Sequence, residues 1–465
     1  MSSPLSRFVR MLMLALVLSL AVVRPAAAQD QEQGPTSLRD TETEVLFHNL
    51  SAPLIKAAQL DPKNVDIVLL NDSDINAFVA GGQVVYVNSG LILQADNANQ
   101  VQAVIAHELG HVAGGHAIRI GEGAKAATGI TIATMILGAI AIAAGAGDAG
   151  MGLMMMGQRA ALGEFLAFTR AQETSADLAG AKYLSIAGIS GKGSLEFFKK
   201  IQNQEYRLAI YATDSYDRTH PLSGERIAML EDIYKKDPAW NNKTDPKLEA
   251  SFQRVKAKLL GFLDPKAATR KYPETDQSIP AHYARAYAYH LGAYPDKALS
   301  ETDALLKTDA HDPYFLELKG QILLESGKPA DAIVPLREAV ERSQNAPLIA
   351  SMLGHALIAT EDTKNFPEAK TILKTAVAKD NENPFAWYQL GVIYAQEGDE
   401  PRAALATAER NNLEGNPKLA LASAEMALRG IPQGTPDYLR AQDIAMVSKT
   451  ALKDKKHRGN DSDRN

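Results

Sequence analysis

Three histidines and one glutamate fall within ten positions of the stretch "AVIAHELGHVAGGHAIRI": His107, Glu108, His111 and His116. On a helix, His107 and His111 sit one turn apart and about 40° around the axis, so both imidazoles can reach one ion. Glu108 is turned about 100° from His107. It is badly placed to ligate beside both histidines and well placed to reach a water at the metal. Zinc in catalytic sites keeps one position open and lowers the pKa of water there to about 7. Glu108 would take a proton from that water and pass it to the leaving amine, which is metal-assisted peptide hydrolysis.

A third ligand is needed. His116 lies nine residues after His107, one short of the metzincin spacing. It reads better as a helix-end residue or as an orienting partner of a ligand histidine. Further on, "FTRAQETSADLAG" places Glu173 and Asp177 at i and i+4. Glu173 could ligate, and Asp177 on the same face could hydrogen-bond a ligand histidine's free nitrogen and fix its tautomer. The bland alternative for two such carboxylates is a solvated acidic face. The chain has no cysteine, so any metal is held by His and carboxylate. That donor set suits several divalent ions, and one zinc per chain is the reading from ligand type.

The elements that must position these groups can be read around them. The metal helix spans residues 98–114, capped by Asp96 or Asn97. Before it, residues 65–70 and 83–88 read as strands around a Gly81-Gly82 turn, in a small antiparallel sheet. Residues 42–60 show helical spacing, and a second long helix covers about 159–187. Between the two motifs, residues 126–144 carry no charge, and "MGLMMMG" follows at 151–157. Length permits a membrane span there. The Ala, Gly and Thr content fits a buried or hairpin helix, or a surface that touches membrane or substrate.

The C-terminal part repeats. Gly320, Gly354 and Gly391 are spaced 34 and 37 residues apart, and Pro313, Pro347, Pro384 and Pro417 are spaced 34, 37 and 33. Ala298, Ala332, Ala369 and Ala403 follow the same period, and the extra three residues fall at "EDTKNF". With "WYQLGVIYAQEGD", this resembles the tetratricopeptide repeat. Four units fit residues 279–415, and helices to about 452 would cap the array.

Net charge is −6, which gives no reason to expect nucleic acid as a partner. Residues 1–28 have Arg7 and Arg10, an apolar run at 11–23 and Ala26-Ala27-Ala28, the pattern of a cleavable secretory signal. An exported chain without disulfides fits a bacterial periplasm. The expected organisation is a signal at 1–28, a flexible N-terminus at 29–41 and a peptidase domain at 42–240. Bridging helices at 241–278, repeats at 279–452 and a disordered tail at 453–465 follow. The fold class is mostly α with a small β-sheet: an α+β zincin-like metallopeptidase domain followed by an α-helical tetratricopeptide solenoid.

Four motifs in order, "NAFVAGGQVVYVNSGLI", "VIAHELGHVAGGH", "FTRAQETSADLAGAKYL" and "THPLSGERI", resemble the M48 family of zinc metallopeptidases. Signal and repeats bring the chain nearest to its periplasmic members that act in outer-membrane protein quality control. The resemblance implies zinc on His107, His111 and Glu173, Glu108 as general base, and Asp177 as the acid behind a ligand. It matches His220 to a loop histidine that can take zinc's fourth position and hold the enzyme off. It matches Arg226 to an arginine near the site that stabilises the oxyanion or the fold. Residues 83–88 would pair with an extended substrate. The implied clients are misfolded or stalled outer-membrane proteins, with the repeats docking a partner such as the outer-membrane assembly machinery. Residues 126–157 would give peripheral membrane contact. The rival reading is a chaperone or adaptor in which cleavage is rare and conditional; a weaker one is an integral membrane protease, which needs 126–144 to span.

Overall fold

The structure is a computed structural model that describes residues 36–143, 147–208, 220 and 223–462. The expected signal segment and most of the expected flexible N-terminus lie outside the described residues.

Asn97 caps helix α3, Ala98–Gly114: its side chain accepts from the Gln100 backbone N–H at 3.0 Å. Gly115 ends the helix in the left-handed conformation, φ 60°. The helix is buried from Ala98 through His111, its polar residues Asn99, Gln100, Gln102, His107, Glu108 and His111 included. Helix α1, Thr41–Ala57, covers one side with Leu46, Phe47, Leu50 and Leu54. Helix α5, Gly147–Ile186, crosses the other. The crossing is close: a Cβ on Gly110 would fall 2.7 Å from the Ala176 carbonyl oxygen, and one on Gly180 would fall 3.1 Å from the Ala106 carbonyl carbon. Gly110→Ala is therefore expected to destabilise by about 1–3 kcal/mol. Ala176 sits between Glu173 and Asp177, so metal affinity should fall with it. Thermal unfolding and a metal titration read the two effects.

The sheet is mixed. Its strands are β1 Ser37–Leu38, β2 Asp66–Leu70, β3 Ala77–Ala80 and β4 Val84–Asn88, in the order β1-β2-β4-β3. The expected all-antiparallel sheet is corrected here, because β2 and β4 pair in parallel from Asp66↔Val84 to Leu70↔Asn88. The turn at Gly81 and Gly82, both with positive φ, folds β3 antiparallel onto β4, and the pair inserts with β4 next to β2. Strand β4 is thus paired on both sides. The expected pairing of residues 83–88 with substrate is corrected as well, since an interior strand has no free edge. Among the described residues the edges are β1, of two residues, and β3.

The uncharged segment forms a hairpin. Helix α4, His116–Ala143, packs against the first half of α5, which begins twelve residues before the expected start. No described helix is long and apolar enough to cross a membrane.

Helices α6 Lys192–Leu208 and α7 Gly224–Lys236 complete the peptidase core. The bridge is part of that core: in α8, Pro246–Leu263, Phe252, Val255 and Leu259 are buried with the residues of α1 and α3. Beyond α9, Pro265–Lys271, paired helices follow from Ile279 to Gly430. Pro313, Pro347, Pro384 and Pro417 each open a helix, where a missing N–H breaks no helical bond. Gly320 and Gly354 face leucines of the second helix of their pairs: a Cβ would fall 2.3 Å from Leu336 Cγ or 2.6 Å from Leu373 Cδ2. The three extra residues form a 3-10 turn, Thr363–Asn365. The last helix, Pro436–Ser462, runs on through most of the stretch expected to be a loose tail.

Candidate metal centre

Two helices and a loop residue bring four donors together. Helix α3 supplies His107 and His111, α5 supplies Glu173, and His220 joins them; all four are buried. His107 Nε2 lies 3.1 Å from His111 Nε2, 3.3 Å from His220 Nδ1 and 3.3 Å from Glu173 Oε2. His111 Nε2 lies 3.3 Å from Glu173 Oε1, and His220 Nδ1 lies 3.2 Å from the same oxygen. Tetrahedral ligands bound at about 2.0–2.1 Å stand about 3.3 Å apart, so the donor set fits a zinc-sized ion.

Further buried groups stand behind these donors. Asp177 Oδ1 lies 3.0 Å from His107 Nδ1, as the i, i+4 spacing with Glu173 suggested. His116 Nδ1 lies 3.0 Å from His111 Nδ1, so His116 stands behind His111 and is not among the four converging donors. Arg226, in the first turn of α7, donates from Nε to Asp177 Oδ2 at 2.7 Å and from Nη2 to Asp177 Oδ1 at 2.9 Å. Its Nη2 also lies 3.1 Å from Glu173 Oε2. The guanidinium fork thus ties the two carboxylates of α5 together. Nothing local in the sequence announces this fork, because Arg226 and Asp177 are 49 residues apart.

The charges lean toward a cation. Burial works against ionised Glu173, yet hydrogen bonds from His107, His111 and His220 hold its carboxyl far below the usual range. Burial opposes ionised Asp177 too, and Arg226 and His107 hold it down. Burial alone would lower His107; Asp177 and Glu173 outweigh it and push the imidazole up to about 10. Burial and the neighbouring His111 push His116 down to about 4. Two buried carboxylates beside this many imidazoles hold a positive charge in place, either a proton or an ion.

Glu108 is the exception to the pairing. It is fully buried, and among the described residues neither carboxylate oxygen has a hydrogen-bond partner. The nearest basic nitrogen, His220 Nε2, is 3.5 Å from Oε1 without hydrogen-bonding geometry. A buried, unpartnered carboxylate facing a donor cluster is what a base needs in order to receive a proton from water at an ion. His220 Nε2 is engaged elsewhere, 3.1 Å from the carbonyl oxygen of Ala77 on the edge strand β3. The sequence held no signal for that contact, since a backbone oxygen carries no motif.

Comparison with known proteins agrees with this geometry. Peptidase family M48 matches residues 41–234. The beta-barrel assembly-enhancing protease of Yersinia pestis is 26% identical over 385 residues, covering 79% of this chain and 76% of that protein. The protein of the same name from Escherichia coli (strain K12) is 26% identical over 415 residues, covering 84% and 81%. Among solved structures, the TPR protein YrrB, described with an unusual peptide-binding site, aligns with 39% of this chain and 94% of its own at 20% identity and a TM-score of 0.31. Residues 41–234 are a peptidase domain of family M48, and the chain is a metallopeptidase.

Proposed function

We propose that the chain is a zinc-dependent endopeptidase of the periplasm that acts in cell-envelope quality control of outer-membrane proteins. The observation that carries the chemistry is the set of four converging donors beside the unpartnered Glu108. His107, His111 and Glu173 would hold the ion, with Asp177, His116 and Arg226 fixing their orientation. When bound, the ion supplies Lewis acidity: it acidifies water and polarises the scissile carbonyl. Glu108 receives the proton of the attacking water on a carboxylate oxygen and delivers it to the leaving amine nitrogen. An extended substrate would pair with the free edge of β3, which presents a peptide bond without reading its side chains. The signal-like pattern at 1–28 and the names of the relatives support the envelope setting. The repeats would dock substrates or a component of the outer-membrane assembly machinery.

His220 restrains this site. One ring nitrogen, 3.3 Å from His107 Nε2, would take a fourth position on the ion, and the other holds the Ala77 carbonyl, at the start of the edge a substrate would use. Substrate entry requires His220 to leave both. This closed arrangement also favours a second reading, a chaperone or adaptor of outer-membrane protein assembly that cuts only on occasion. The test is metal content and casein hydrolysis of wild type and His220→Ala, before and after a chelator. One zinc per chain, chelator-sensitive cleavage and a severalfold faster His220→Ala are expected. A wild type that neither binds metal nor cuts would end the peptidase reading; a His220→Ala no faster than wild type would end the restraint.

A further inference from the structure

The α4–α5 hairpin turns its large apolar side chains outward. Ile132, Met135 and Ile136 on α4 and Met151, Met155 and Met156 on α5 are 48–62% exposed. Where the helices touch, the residues are small: Gly157 and Ala161 are buried, and a Cβ on Gly157 would fall 1.8 Å from Thr134 Oγ1. The hydroxyls of Thr128, Thr131 and Thr134 bond to carbonyls one turn back, at 2.8, 3.1 and 2.9 Å, so they are satisfied without water. A hairpin built for water does the reverse, burying its large apolar residues and exposing polar ones. Small residues inside and large apolar residues outside is how helices pack in lipid, where the outer face meets acyl chains.

We propose that this hairpin binds a lipid surface, lying along the interfacial region of a bilayer. Residues 126–158 carry one charge, Asp148. A charged residue disfavours burial of the whole stretch in hydrocarbon and favours helices lying along the interface. The charges that flank the apolar stretch are mixed: Arg119, Glu122 and Lys125 on one helix, Arg159, Glu164 and Arg170 on the other. Attraction to anionic lipid is therefore not the driving term, and the burial of apolar area is. The inference goes beyond the peptidase reading and stands apart from it, since vesicle binding needs neither metal nor substrate.

The test is flotation with neutral phosphatidylcholine vesicles. It uses the chain from Gln29 onward, which contains the folded unit Ser37–Asn465 and lacks the apolar run at 11–23. Wild type is expected to float equally in low and high salt. Met155→Glu with Met156→Glu should reduce the bound fraction at least about tenfold, because two apolar side chains no longer enter lipid. Ile132→Ser with Ile136→Ser should act alike, and unchanged casein hydrolysis shows that either variant folds. Wild type left at the bottom of the gradient, binding abolished by salt, or variants that float like wild type would each overturn the proposal. So would a wild-type dimer that the variants split and that ignores vesicles, since the apolar face would then cover a second copy.

Discussion

Glu108→Gln is expected to lower peptide hydrolysis by roughly 10²–10⁴-fold, the usual contribution of a positioned general base, with metal content unchanged. The substitution keeps the side chain's shape in a fully buried position and removes only its ability to take a proton. The four donors, His107, His111, Glu173 and His220, are untouched. No hydrogen bond is lost, because among the described residues Glu108 has none, so the variant should be no less stable than wild type. Turnover of a casein or fluorogenic peptide substrate, read beside metal analysis of the same sample, checks both halves. Loss of the metal would make Glu108 a ligand and end its assignment as base. An inert, zinc-loaded variant that still supports envelope function in cells would transfer the main role to the chaperone or adaptor reading.

Arg226→Ala should have the largest effect on stability, a loss of about 3–5 kcal/mol in the metal-free protein. Arg226, Asp177 and Glu173 are all buried, and the arginine is the cation common to both carboxylates. Among the described residues, removing it leaves His107 as the cationic partner of Asp177. Because Asp177 Oδ1 stands 3.0 Å behind His107 Nδ1, affinity for a metal ion should also fall about 10–100-fold. Arg226→Lys keeps the charge but not the two-pronged geometry, and should recover only part of either loss. Denaturant unfolding of the apo form and competition with a chelating dye measure the two effects separately. An alanine variant as stable as wild type would show that the fork contributes nothing to the fold.

The parts of this architecture that were legible in the sequence are those set by near neighbours. The span 98–114 could be read because its cap, its apolar periodicity and its terminal glycine are local, and the structure places Ala98–Gly114 there. The helix pairs of the C-terminal half were legible because proline at the first helical position and glycine at the helix contact recur with the period. Glu173 and Asp177 were legible as a pair by their spacing. The sheet was not: Ala77–Ala80 was not read as a strand, and its antiparallel pairing with β4 is what lets β4 run parallel to β2. Nor was the fork of Arg226 or the contact of His220 with Ala77, which join residues 49 and 143 positions apart. The early start of α5 was missed for a different reason: Gly147, Gly150 and Gly152 weaken a helix, and packing against α4 overrides that weakness.

Helix α8 has a consequence for how such an enzyme could be controlled. Its Lys258 bonds Asp40 at 2.9 Å and Glu42 at 2.8 Å at the start of α1, while its Arg254 reaches Asp312 at 2.7 Å at the head of a repeat helix. Tyr283 of the first repeat helix closes the loop on Glu42 at 2.7 Å. The seam between peptidase and repeats is therefore a charged lock rather than a hinge. Swinging the repeats away would take Asp312 from Arg254 and the Tyr283 hydroxyl from Glu42, which is nearly inaccessible to water. A partner that grips the repeats thus carries the catalytic half with it as freight, fixing where the blade is held. On the function proposed above, whether the blade is drawn would be left to the imidazole of His220 at its edge.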